Sequence, residues 1–329
     1  MICIWIILFW LKRFAVYSYC TLFDSNYLTR GLAMFESLKK HSDNFHLYIF
    51  PFDDKSDVLL RKLNLDSVTV VSLKEFEDKE LLKVKDSRTA GEYCWTCTPS
   101  TIKFCIETYN LDDCTYLDAD LFFFSNPAVL IDEMGEESVL ITEHRYTPQY
   151  DQSATSGIYC VQFITFKNDE NGMTVLNWWR ASCIEWCYAR FEDGKFGDQK
   201  YLDDWTTKFD GIHVLQNLGG GVAPWNVQQY DLSCDKTFTL IFYHFHNYKL
   251  LENNRIEMGT YILDENDINI LYKPYTKHLE RITEELKKID LENDYNGVIP
   301  YDSFNWKNIL RRIKRTIKGN YNIVNRTEF

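Results

Sequence analysis

The stretch CTYLDADLFFFSNP, residues 114–127, sets two acids one residue apart in an apolar run. A lone carboxylate is costly in such surroundings. Extended backbone sends the side chains of Asp118 and Asp120 the same way. Two like charges that close repel unless a cation or a shared proton lies between them. Hard oxygen ligands at this density suit Mg²⁺ or Mn²⁺, with coordination positions left open for phosphate. The plainer reading is a turn in which each acid caps a neighbouring amide. A third ligand has to come from elsewhere, and the segment FYHFHN offers His244 and His246. On one strand these two share a face. Imidazole nitrogen favours Mn²⁺ over Mg²⁺. Either histidine alone also reads as a hydrogen-bonded core residue.

Around this stretch, strand and helix patterns alternate. FAVYSYCTLFD (14–24) reads as a buried strand that ends in turn residues at Asp24. SNYLTRGLAMFESLKKHS follows with helical spacing, then HLYIFPFDD as a strand, KSDVLLRKLN as a helix and SVTVVSL as a strand. TPSTIKFCIETYN predicts a helix capped by Thr98 or Ser100 with Pro99 in its first turn. SGIYCVQFITF predicts a strand, NGMTVLNWWRASCIEWCYARF a long helix, GDQKYLDDWTTKF a further helix, and FTLIFYHFHNYKL one late strand. YTKHLERITEELKKID reads as an exposed charged helix. Such alternation implies an open α/β sheet whose ligands bind at the carboxyl ends of its strands. Asp24 and Asp118 both fall at that edge.

Composition narrows the function. The 329 residues are 45% hydrophobic and 26% charged, enough for a sizeable core. A net charge of −12 argues against nucleic acid as partner. The 9 Trp, 21 Tyr and 22 Phe read first as packing. The ten cysteines read as reduced thiols. In CWTC, Cys94 and Cys97 have redox or zinc spacing, yet Cys105 and Cys114 do not repeat it, so small buried residues are the expectation. In LGGGVAPWN (218–226) the three glycines either admit a ligand or make a flexible loop.

The ordered set YLDADLFFFSNP, SGIYCVQFITF, GDQKYLDDW, PWN and YHFHNYK resembles the nucleotide-sugar glycosyltransferases of the GT-A fold, especially the retaining family 8 type and bacterial envelope-polysaccharide transferases. The likeness spans residues 14–249. It implies one Rossmann-like mixed sheet flanked by helices, with a helical C-terminal extension. It places an apolar extension at 1–13, the transferase domain at 14–255 and the extension at 256–329. It implies that Asp118 and Asp120 hold Mn²⁺ (or Mg²⁺) on the donor diphosphate, with His244 as third ligand. Asp198 and Gln199 match the pair beside the donor sugar and reaction centre. Lys103 matches a basic position near the donor, and Ser156 and Gly157 a strand start that touches it. Thr21 and Asp24 match the edge that cradles the nucleotide. Lys249 stands for the diphosphate lysine, but the family's H-x-x-G-x-x-K-P-W lacks its Gly and Pro-Trp here. That departure keeps His246 open as the ligand.

The reaction implied is transfer of a sugar from a nucleotide diphosphate sugar, a UDP-sugar by preference, to an envelope glycan or glycolipid, with retention. As the anomeric bond breaks, the leaving diphosphate gains charge and the sugar becomes oxocarbenium-like. Rival readings are a haloacid dehalogenase-type phosphatase with Asp118 as nucleophile, a nucleotidyltransferase of related fold, and a noncatalytic sugar- or metal-binding module. From Trp306 on, seven Lys/Arg stand against one acid, interleaved with Trp306, Ile309, Leu310, Ile313 and Ile317. This predicts an amphipathic helix suited to an anionic membrane surface. The apolar run at 1–11 is too short to span a bilayer. The expected location is the cytoplasm, peripheral on the inner face of the cell membrane.

Overall fold

The computed structural model describes residues 16–232, 238–301 and 305–329. The apolar extension at 1–13 lies outside them. Twelve strands run in chain order: β1 Tyr17–Phe23, β2 Phe45–Pro51, β3 Val68–Val70, β4 Asp113–Leu117, β5 Leu121–Phe123, β6 Val139–Glu143, β7 Tyr159–Lys167, β8 Ile212–Val214, β9 Phe242–His244, β10 Tyr248–Leu251, β11 Arg255–Met258 and β12 Ile323–Asn325. Five helices matter below: α1 Leu28–His41, α2 Ala90–Tyr109, α3 Glu170–Glu185, α4 Lys273–Ile289 and α5 Trp306–Ile317.

Seven strands form the central sheet, in the order β3-β2-β1-β4-β7-β6-β8. β7 runs antiparallel to both β4 and β6, and the other pairings are parallel. The sheet is therefore mixed. Alternation along β1 shows how it is buried on both sides. Tyr19 and Phe23 enter one apolar core with Leu32 and Leu38 of α1 and Leu279 of α4. Cys20 and Leu22 enter the other, with Ile102 of α2 and Trp179 of α3. Two covered faces explain why these strands read as near-continuous apolar runs.

Three local expectations are corrected. α2 starts at Ala90, where Thr89 and Glu92 form a reciprocal capping box, so Pro99 sits inside the helix. Its missing N–H is tolerated because flanking packing holds the helix. The late strand is broken. β9 stops at His244, Asn247 turns with φ +61°, and β10 starts at Tyr248. α4 is charged on one side only, because Tyr275, Leu279, Ile282 and Leu286 are buried. Beyond residue 255 the chain also holds strand: β11 pairs with β10 and with β12.

Candidate functional site

Asp118 and Asp120 lie where β4 leaves the sheet. The Asp118 N–H donates to the Gln162 carbonyl of β7 at 3.0 Å, and the Leu121 N–H closes a turn onto the Asp118 carbonyl at 3.2 Å. β5 then pairs antiparallel with β9, with Leu121 opposite His244. The Phe245 N–H donates to the Asp120 carbonyl at 2.9 Å. This small two-stranded ribbon brings the histidine to the acids. His244 Nε2 stands 3.1 Å from Asp120 Oδ1 and 3.7 Å from Asp118 Oδ2. One donor atom from each of the three lies within 4.8 Å of the others.

The three charges are interdependent. Burial opposes a charge on His244, but Asp120 outweighs it, and the imidazole is held well above its ordinary value. Burial likewise opposes charge on Asp120, yet His244 holds that carboxyl below its ordinary range. Burial pushes Asp118 up to about 6, with His244 pulling down and Asp120 pushing up. Asp118 keeps 30% of its side chain exposed. It opens only into a cavity and is otherwise surrounded by protein. Two oxygen ligands and one imidazole nitrogen, converging at an accessible point, suit a divalent cation. The same residues can hold one where the imidazolium charge now balances the acids.

That cavity measures about 640 Å³ and is lined by Asp24, Asp118, Asp120, Ser156, Asp198, Gln199, His244 and His246 among others. It crosses the carboxyl edge of β1 and β4 and the adjoining start of β7. Asp198 is buried beside Thr98, and burial together with the Asp118 charge pushes it up to about 8. Its carbonyl accepts from Trp179 Nε1 at 2.9 Å. Gln199 Nε2 donates to the Ser156 carbonyl at 2.6 Å. Gly157, at φ +110°, lets the chain turn against Asp203, whose Oδ1 would lie 3.1 Å from an added Cβ. His246 lines the cavity too, but burial and the nearby His244 charge push it down to about 4. It thus faces the site as a neutral imidazole.

Other expected residues lie apart from the cavity wall. Thr21 is fully buried within β1. Lys103 is on α2, paired with Glu107 one turn on. Lys249 is on β10, in register with Glu257. Gly157 is behind the lining. Cys94 reaches the cavity, and burial pushes its thiol up to about 12, away from the thiolate a redox pair uses. The three glycines pack against protein instead: a Cβ on Gly219 would meet the Thr239 carbonyl, and one on Gly221 the Thr142 methyl. The useful residue of that loop is Trp225, whose Nε1 donates to the His144 carbonyl at 2.8 Å.

Sequence reasoning missed the lining aromatics Tyr27, Tyr146 and Tyr261, and met Trp225 only as part of the PWN motif. Tyr27 keeps 43% of its surface exposed, and the Arg30 guanidinium lies 4.6 Å from its ring centroid. A half-exposed ring with a guanidinium against it can stack a flat ligand. The preceding Asp24 caps this segment by accepting from the Asn26 and Tyr27 N–H groups. The one signal in the sequence was the position of Tyr27, four residues past the end of β1.

The chain matches no family model. It is 33% identical over 291 residues to the Uncharacterized protein YfnD of Bacillus subtilis (strain 168), covering 83% of this chain and 92% of that protein. The chain belongs to the YfnD family. Among solved structures, the fold resembles the galactosyltransferase LgtC in complex with donor and acceptor sugar analogs, at TM-score 0.51 and 11% identity. That match covers 80% of this chain and 95% of the other. It also resembles the glycosyltransferase GlyE of Streptococcus pneumoniae TIGR4, at TM-score 0.51 and 12% identity, covering 85% and 65%. This chain thus has a GT-A fold, the sheet architecture of these glycosyltransferases.

Proposed function

We propose that this protein is a glycosyltransferase that uses a nucleotide diphosphate sugar, a UDP-sugar by preference, with Mn²⁺ (or Mg²⁺), retaining anomeric configuration. The observation that carries the reading is the convergence of Asp118, Asp120 and His244 within 4.8 Å at the floor of an open cavity. A bound divalent ion would neutralise charge on the departing diphosphate. Tyr27 offers its open face to the base, and Asp24 holds Tyr27 in place. Asp198 and Gln199, on the cavity wall, are set to face the sugar. Their oxygens stabilise positive charge developing at the anomeric carbon. Thr21, Lys103, Gly157 and Lys249 are not among the lining residues, and the cation is given most of the work of holding phosphate.

The reading is tested with a panel of nucleotide sugars and Mn²⁺, scored for binding and slow hydrolysis. One donor stands out, chelator abolishes its turnover, and nucleoside diphosphate, not pyrophosphate, is released. Turnover indifferent to chelator contradicts the proposal.

The acceptor is proposed to be an envelope glycan or glycolipid, reached from the cytoplasmic membrane face. The support is α5. Trp306, Ile309, Leu310, Ile313 and Ile317 form an exposed stripe at helical spacing, beside exposed Lys307, Arg311, Arg312 and Lys314. No helix among the described residues is long and apolar enough to cross a membrane. Arg315 is not part of this surface, contrary to its place in the basic run. It is buried against Glu257 and donates to the Gly259 carbonyl. Breaking such a pair costs about 3–5 kcal/mol, so a charge-reversal test has to spare it. Replacing Lys307, Arg311, Arg312 and Lys314 with Glu is expected to release the protein from anionic vesicles; unchanged binding ends the idea.

A further inference from the structure

The cavity has two chemically different ends. β1, which leads to Asp24 and Tyr27, is separated from β6 by β4 and β7. At about 4.8 Å per strand, the two ends stand roughly 14 Å apart. Past β6 lies Tyr146, and with Trp225 and Tyr261 it makes an aromatic wall. We propose that this wall is the acceptor subsite, shaped for an uncharged pyranose, and that anionic sugars are refused there. The inference rests on the glycosyltransferase reading above.

The wall is rigid. One face of Tyr146 is covered by the His144 ring, at 4.6 Å and 9°. Trp225 meets His144 edge-on at 5.2 Å and His246 at 5.4 Å. The Asn226 side chain ties the same corner to the His144 and Gly221 carbonyls. Tyr261 packs with Trp225, Cys160 and Ala223 in a small core of its own. Tyr146 is half-buried and lines the cavity with what His144 leaves uncovered. The C–H face of a pyranose complements the negative face of such a ring. Gln152, an exposed neutral group in the lining, can meet its hydroxyls.

Charge supplies the second argument. Among the described residues that line the cavity there is no lysine or arginine, whereas Asp24, Asp118, Asp120 and Asp198 all do. Cations close to the aromatic end are committed elsewhere. Arg145 donates to the Leu215, Asn217 and Gly220 carbonyls. Lys200 is bound to Asp203 and to the Ser153 carbonyl. A carboxylate or phosphate on the acceptor would be desolvated there with no lysine or arginine in the lining to pair with it, which is unfavourable.

The test is ligand-observed NMR on the full chain with Mg²⁺ and UDP. The probes are methyl glucoside, methyl galactoside and methyl N-acetylglucosaminide, against glucuronate and galacturonate. At least one neutral glycoside is expected to bind about tenfold or more tightly than either uronate. Tyr146→Ala weakens it about tenfold, and Tyr146→Phe preserves it. Gln152→Lys, at the exposed rim, brings the uronates to within about threefold. Uronates binding as well as neutral sugars, no neutral sugar binding, or an indifferent Tyr146→Ala each overturn the inference. Thermal melting of each variant separates a lost contact from a lost fold. Donor hydrolysis by the wild-type chain is scored in parallel. If it persists while uronates win, the acceptor inference alone falls; if no donor is hydrolysed or bound, the function itself falls.

Discussion

Among the described residues two triads of side chains could ligate a metal, one at the cavity and one in the core. Asp118, Asp120 and His244 form the first; Cys20, Cys105 and Cys114 form the second. Both gather their ligand atoms within 4.8 Å. They differ in access and in charge. The first opens to a 640 Å³ cavity and carries an acid–imidazole balance. The second is 0% exposed at every residue, where α2 crosses β1 and β4, and burial pushes the Cys105 and Cys114 thiols up. Burial opposes a charge on Cys20, but hydrogen bonds from Cys105, Cys114 and the Thr101 hydroxyl, 3.7 Å from its sulfur, bring that thiol down to about 5, so what this triad lacks is an entry path. Convergence alone does not make a binding site. An entry path and a charge that needs compensation do, and the first triad has both.

That contrast breaks or sharpens in three experiments. The largest effect is expected at the cavity triad. Asp120→Ala lowers donor turnover by about 100–1000-fold, the usual cost of one electrostatic group at a reaction centre, while circular dichroism stays native. Next comes Asp198, on the same wall. Its native carboxyl, pushed up to about 8, keeps a proton that the unfolded chain gives up near pH 4. The native state therefore binds more protons across pH 4–8, and stability falls as pH rises through that window. Asp198→Asn has no proton to lose. In chelator, its Tm should exceed that of the wild type by a margin that grows from pH 5 to pH 8. A constant margin places the strain elsewhere. The smallest effect is at the thiol triad. Cys114→Ala costs about 1–2 kcal/mol in urea unfolding, as a small core truncation does, and leaves metal-dependent turnover unchanged. A turnover defect at that position would move the thiols into the site.

Much of the cavity triad was legible because its signals are local. Two acids inside an apolar run conflict with burial, and that conflict is visible in Asp118 and Asp120 themselves. His244 was legible as a candidate, though not the reason it wins. The break after β9 and the pairing of Leu121 with His244 are three-dimensional facts. The alternation of elements gave the sheet, because strands covered on both faces are uniformly apolar. The start of α2 was misjudged because Pro99 outweighed the Thr89–Glu92 pair in a linear reading. The aromatic wall was invisible for a compositional reason. With 22 Phe, 21 Tyr and 9 Trp in the chain, Tyr146 and Tyr261 stand out from nothing around them, and PWN marked Trp225 without its partners. Lys103 and Lys249 were placed by likeness to a motif, and neither lines the cavity.

The most direct measurement is a Mn²⁺ titration followed by electron paramagnetic resonance, with UDP present, on three proteins. The wild type and a variant carrying Cys20→Ala, Cys105→Ala and Cys114→Ala together should each take up one ion, and Asp120→Ala none at the same concentrations. Equal uptake by Asp120→Ala, or uptake lost only with the thiols, would contradict the account.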